Sequence, residues 1–119
     1  MEKLTPQEEQ ALQAAWKSGE GTVKTFMNNI DPPKPPYTTL ASTIKNLEKK
    51  GFLLSRLVGN AYLYTPIVSA ETYKKKYIGN VVKNYFDNSY KELVNFFVSE
   101  KKLSATELKE ILDLIERKK

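Results

Sequence analysis

Thr38, Ser42, Lys45 and Lys49 are the residues whose types and spacing best suit chemistry on a partner, because they recur along one side of the stretch from Pro36 to Phe52. Leu40, Ile44 and Leu47 recur on the opposite side at the i, i+4, i+7 spacing of an amphipathic helix. Hydroxyls donate or accept hydrogen bonds at base edges, a threonine methyl or the Ala41 side chain can meet a thymine methyl, and lysines neutralise phosphates. The chemistry on offer is therefore recognition of a nucleic acid rather than bond breaking. The bland alternative for the same face is a solvated helix surface, which needs no partner.

Composition points the same way. With no histidine and no cysteine, the chain lacks the usual general base, thiol nucleophile and soft metal ligands, so no catalytic pair, metal site or cofactor is expected. A formal charge of +5, from 19 Lys and Arg against 14 Asp and Glu, favours a polyanionic partner weakly. Met1 to Gln10 has no apolar secretory segment and no later run approaches the length of a bilayer span, so a cytoplasmic protein without membrane insertion is expected.

The elements that must hold the recognition stretch are legible on both sides of it. Thr5-Pro6-Gln7-Glu8 has the form of a capping box, and Ala11, Leu12, Ala15 and Trp16 supply an apolar stripe, giving a first helix over 6–17. Ser18 to Gly21 breaks it, and Thr22 caps a second helix carrying Val23, Phe26, Met27 and Ile30 and ending near Asn29. The four prolines between Asp31 and Tyr37 demand a stiff extended loop. The third helix then starts after Pro36 and ends at Gly51. Phe52 to Leu57 and Ala61 to Thr65 are rich in strand formers on either side of Gly59-Asn60, which is a β-hairpin pattern. Three helices and a hairpin are the element order of a winged helix, whose third helix enters the major groove.

From Ser69 onward the pattern is wholly helical. One helix carries Tyr73, Tyr77, Ile78, Val81, Val82 and Tyr85, a second starts at Asp87 or Ser89 and carries Tyr90, Leu93, Val94 and Phe97, and a third follows the capping box Ser104-Ala105-Thr106-Glu107. So small a helical unit usually needs a partner to complete its core, which makes a dimer the economical solution. Folding back onto the winged helix as one monomeric domain is the alternative. The fold class expected is mainly α with a small β-hairpin: a winged helix-turn-helix over 1–68 and a helical dimerisation region over 69–119.

Tyr37-Thr38-Thr39-Leu40, Ser42, Ile44, Leu47 and Lys50-Gly51-Phe52 resemble the recognition-helix motif of the penicillinase repressor family. Ala15-Trp16 closing the first helix, Tyr62-Leu63-Tyr64 in the wing, a Lys/Tyr-rich fourth helix and Leu-Ser-x-x-Glu-Leu at Leu103 to Leu108 extend the likeness over nearly the whole chain. The resemblance implies a homodimeric repressor that binds a palindromic double-stranded DNA operator. It implies dimer contacts from the apolar stripes of the C-terminal helices, here Tyr77, Val81, Leu93, Phe97, Leu108, Ile111, Leu112 and Ile115. It also implies release by proteolysis under a membrane-bound sensor metallopeptidase, commonly between Asn and Phe. An Asn-Phe pair stands at Asn95 and Phe96, while counting back from Leu103-Ser104 places the family's scissile pair one residue later, on Phe96 and Phe97. The copper-responsive branch carries a cysteine cluster that this chain lacks, and Asn46 stands where many relatives have a basic residue, so no operator sequence transfers.

The expected DNA-binding residues are Thr38, Thr39, Ala41 and Ser42 for base edges, Lys45, Lys49 and Lys24 for phosphates, and Arg56 and Asn60 in the wing. Tyr62 and Tyr64 read as hairpin packing and Trp16 as core. The run Lys74-Lys75-Lys76 and the pair Lys101-Lys102 read as solvated surface. Two rivals stand beside the repressor: a winged helix used only for protein contacts, and, weakest, an enzyme.

Overall fold

The computed structural model describes residues 2–117. The elements run α1 (Pro6–Ser18), α2 (Val23–Met27), α3 (Tyr37–Lys49), β1 (Leu53–Val58), β2 (Ala61–Pro66), α4 (Ala70–Tyr85), α5 (Tyr90–Ser99) and α6 (Ala105–Arg117). Their contacts group into two compact units that divide between Lys76 and Tyr77.

The first unit is a winged helix built around the inner faces of α1, α2 and α3. The capping box at the start of α1 forms as the sequence requires. Thr5 Oγ1 accepts from the Glu8 backbone N–H at 3.1 Å, and Glu8 Oε1 accepts from the Thr5 N–H at 2.9 Å. Glu8 Oε1 also receives Lys50 Nζ at 2.7 Å, so the start of α1 is tied to the end of α3. Burial opposes the Glu8 charge, but the donors from Lys50 and Thr5 outweigh it and hold the carboxyl below its ordinary value.

α2 opens on a second box, Thr22 with Thr25, and ends at Met27, two residues before the periodicity suggests. The reason is a change of hydrogen-bond step. Asn29 and Ile30 bond back to Phe26 and Met27, three residues away, which tightens the chain out of the α-helix. After the proline-rich loop, α3 starts at Tyr37 and closes in a Schellman motif. The N–H of Phe52 reaches the Leu47 carbonyl at 2.9 Å, that of Gly51 reaches Glu48 at 3.0 Å, and Gly51 sits at φ 87°.

β1 and β2 pair antiparallel across the Gly59-Asn60 turn, with Val58 opposite Ala61 and Leu53 opposite Pro66. Gly21 extends this pair into a third position by exchanging both backbone hydrogen bonds with Tyr64, at 3.1 and 2.8 Å. Alternation then sorts the side chains. Leu53, Ser55, Leu57, Tyr62 and Tyr64 share one face of the hairpin, while Leu54, Arg56, Leu63 and Thr65 share the other.

The first turns of α4 belong to this unit, so the division lies eight residues beyond the expected 68/69 boundary. Tyr73 accounts for it. Its ring lies 5.8 Å from Trp16 and 6.0 Å from Phe52, and its hydroxyl donates to Glu9 Oε2 at 2.9 Å. Trp16 packs against the core, half-buried, with Nε1 donating to the Val68 carbonyl at 2.9 Å.

In the second unit α4 ends where Asp87 and Asn88 adopt left-handed conformations, and Ser89 rather than Asp87 caps α5. Ser104 and Glu107 form the expected box at the start of α6. Phe96 packs edge-on against Phe86 and Phe97, at 5.6 and 5.7 Å. Among the described residues of this unit only Val82 is buried. Among the described residues no helix is long and apolar enough to cross a membrane.

Gly21 gives the sharpest test of how tightly the wing is joined to the helices. A Cβ built there would lie 2.6 Å from Thr25 Cγ2 and 2.7 Å from Thr25 Cβ, inside the pair that caps α2. Gly21→Ala should therefore destabilise the protein by about 1–3 kcal/mol, as overpacking does, measured by urea denaturation. An unchanged denaturation midpoint would show that the contact yields freely.

Candidate nucleic-acid interface

α3 buries Leu40, Ile44 and Leu47 at 2%, 0% and 0% exposure against the core shared with α1, α2 and β1. Geometry leaves the opposite side outward, and Thr38, Thr39, Ser42, Lys45, Asn46 and Lys49 are all exposed on it. Ala41 is half-buried and packs against the core, which limits what its methyl can offer a partner. Thr43, on the inner side, is buried and donates its hydroxyl to the Thr39 carbonyl at 2.9 Å.

The structure brings Lys45 and Lys49 to a cleft of about 430 Å³ between α3 and the wing, lined also by Glu48, Ser55, Tyr62 and Tyr64. Glu48 spans it. Its Oε2 accepts from the Ser55 backbone N–H at 3.1 Å and from the Ser55 hydroxyl, so this carboxylate holds the wing to α3. Tyr64, at the base of the cleft, is buried against Phe26, and that burial, with the Glu48 charge, raises its hydroxyl pKa.

Arg56 lies on the other face of the hairpin. Its guanidinium grips Glu20 in a fork, Nη2 to Oε1 at 2.7 Å and Nε to Oε2 at 3.1 Å, while Thr65 Oγ1 donates to the same Oε2 at 2.6 Å. One carboxylate thus joins the loop after α1 to both strands of the wing. The Arg56 and Thr65 donors draw the Glu20 carboxyl down to about 2 from its ordinary 4.5, and Glu20 raises Arg56 in return. Asn60 is exposed in the turn at the wing tip, and Lys24 is exposed on α2, outside the cleft.

Tyr62 is the residue that sequence reasoning passed over. Tyr64 packs as expected at 5% exposure, but Tyr62, two residues earlier on the same hairpin face, is 56% exposed beside Lys45 and Lys49. The period-2 alternation placed both on one face; it did not reveal that the core ends between them.

In the second unit Tyr77, Phe97, Ile111, Leu112 and Ile115 are exposed, and Val81, Leu93 and Leu108 are half-buried. Asn95, Phe96 and Phe97 lie exposed within α5.

With this geometry in place, comparison with known families is decisive, because the penicillinase repressor model matches residues 4–117. The chain belongs to the penicillinase repressor family. Membership makes it a transcriptional regulator of the DNA-binding, winged-helix type and not an enzyme. No curated protein sequence matches it. Among solved structures it is similar to one described under the mechanism for regulation of DNA binding of Bordetella bronchiseptica BpsR by 6-hydroxynicotinic acid. That match has 15% identity, 98% of this chain and 76% of that one covered, and a TM-score of 0.49. It is also similar to a probable transcriptional regulator from Pseudomonas aeruginosa, at 16% identity, 96% and 77% coverage and a TM-score of 0.44.

The Glu20 fork has a measurable signature in this penicillinase repressor family member. Because folding lowers the Glu20 pKa, the stability it contributes is present above about 4.5 and is lost as pH falls toward about 2. A carboxyl-detected NMR titration should find Glu20 titrating near 2, and Arg56→Ala should return it toward 4.5. Titration near 4.5 in the unmodified chain would mean that the fork does not persist in solution.

Proposed function

We propose that this protein is a dimeric repressor whose α3 enters the major groove of a palindromic operator while the 52–66 hairpin sits beside it. The single observation that carries the reading is the outward face of α3. Its hydroxyls and lysines stand exposed, while its apolar row is wholly buried in the winged-helix core. Thr38, Thr39 and Ser42, in the first turns of the helix, act at base edges, with Ala41 limited to apolar contact at the margin. Lys45 and Lys49 act on phosphates, helped by Lys24 on α2 and by Asn60 at the wing tip.

The second unit supplies the dimer. Tyr77, Ile111, Leu112 and Ile115 are between 42% and 54% exposed, and a surface with so many large apolar side chains in one small helical unit is an association surface. Val81, Leu93, Phe97 and Leu108 complete it. Two half-sites on one two-fold axis multiply affinity through effective concentration, so whatever separates the protomers also frees the operator. A cut in α5 at Asn95, Phe96 or Phe97, by a membrane-bound sensor metallopeptidase, would act by that route. The exposure of Asn95 and Phe96, neither of which is among the dimer contacts named above, supports it.

Binding to DNA from upstream of the protein's own gene, followed by fluorescence anisotropy across a salt series, tests these roles. Lys45→Ala and Lys49→Ala should each lower the slope of log K against log salt by about 2 for the dimer, one phosphate contact per protomer. Changing Thr38, Ser42 and Lys45 together to alanine should leave only weak, sequence-independent binding. Leu93→Asp or Phe97→Asp should give a monomer by sedimentation whose operator affinity falls by about 10²-fold or more, as lost avidity requires, while the wing stays folded. Full affinity in a monomeric variant, or in the triple alanine variant, would refute the corresponding half of the reading.

A further inference from the structure

The wing carries one cation, Arg56, and the structure removes it from the face that looks toward α3. Arg56 pairs across the hairpin with Leu63, on the face opposite Ser55, Tyr62 and Tyr64. Both its bonded nitrogens are taken up by Glu20. The hairpin face turned toward α3 therefore offers a phosphate only neutral donors. On the α3 side Ser55 is committed to Glu48 and Tyr64 is buried. Tyr62 remains, more than half exposed, its hydroxyl making no hydrogen bond to any described residue. It lines the cleft that Lys45 and Lys49 line from the helix side, and neither lysine is ion-paired with a described residue.

We infer that Tyr62 is a DNA-contact residue: its phenolic O–H donates to a backbone phosphate that Lys45 and Lys49 neutralise from the other wall of the same cleft. This rests on the DNA-binding reading of α3 and adds to it the group by which the wing grips the strand. Phosphate accepts such a donor irrespective of sequence, so the contact contributes to affinity and register rather than to base choice. Glu48 does not close the site to an anion, because its carboxylate is turned to the Ser55 N–H and hydroxyl and its one negative charge stands against the two of Lys45 and Lys49 in the same cleft. Glu20 has the complementary role on the far side: by holding Arg56 and Thr65 it ties the wing to the loop after α1, while Tyr62 supplies the donor on the α3 side and Asn60 the one at the tip.

The test compares the parent chain with Tyr62→Phe, which keeps the ring and removes only the hydroxyl, on two duplexes: the upstream DNA and a random sequence of the same length. The expected result is a loss of roughly tenfold per protomer on both duplexes, the size of a hydrogen bond to a charged acceptor. The melting temperature should not change. Nor should the salt slope, since a neutral hydroxyl releases no counterion, in contrast to Lys45→Ala and Lys49→Ala. Scanning the upstream duplex with single methylphosphonates should reveal one position per half-site at which Tyr62→Phe no longer costs affinity. If the parent binds and Tyr62→Phe binds equally well, the inference falls while the DNA reading stands. A loss that no methylphosphonate relieves, or one that accompanies a lowered melting temperature, overturns it as well. A parent chain that binds neither duplex overturns both.

Discussion

The burial of Leu40, Ile44 and Leu47 is the constraint on which everything else in the first unit depends. A helix turns 100° per residue, so three fully buried side chains on one stripe leave α3 no freedom to rotate about its axis. The outward presentation of Thr38, Ser42, Lys45 and Lys49 is thus a consequence of core packing and needs no separate cause. Polar ties then fix the end of the rod. Lys50 reaches back to the Glu8 carboxylate that caps α1, and Glu48 reaches forward to Ser55 in the wing.

The wing shows how alternation and charge divide labour across a sheet only two strands wide. One face meets the core and α3, and carries Leu53, Ser55, Tyr62 and Tyr64. The other meets the loop after α1 through Glu20, which holds Arg56 and Thr65 at once. Such an exposed fork contributes little to global stability, but it defines where the hairpin stands relative to the helices. Of the charges beside the cleft, the cations Lys45 and Lys49 come from α3, while the hairpin face turned toward it carries neutral side chains.

Local signals in the sequence were enough for most of the elements. The Thr5–Glu8 capping box, the Thr22 cap, the helix end at Gly51 and the Gly59-Asn60 hairpin are written within four or five residues of where they act, so a linear reading finds them. What it missed depends on residues distant in sequence. The neutralisation of Arg56 comes from Glu20, 36 residues earlier, and follows from Gly21 pairing with Tyr64. The different fates of Tyr62 and Tyr64 depend on where the core ends beneath the hairpin, which no periodicity records. The membership of Tyr73 in the winged-helix unit likewise rests on Trp16, Phe52 and Glu9. The amphipathic stripes of α5 and α6 were legible as patterns, but a pattern states that a face will be covered and not by what.

In the second unit most large apolar side chains stay exposed and Val82 alone among the described residues is buried, so the unit is incomplete as a single copy. In the proposed function that incompleteness and the fixed face of α3 go together: two copies would meet through the helical units and present two recognition helices to one duplex. Hydroxyl-radical footprinting of the upstream DNA tests this union most directly. Two protected half-sites related by a dyad are expected, their centres about one helical turn or a whole multiple apart, as two major-groove helices on a two-fold axis require. A single asymmetric protected patch, or no protection at concentrations where the protein is dimeric, would contradict it.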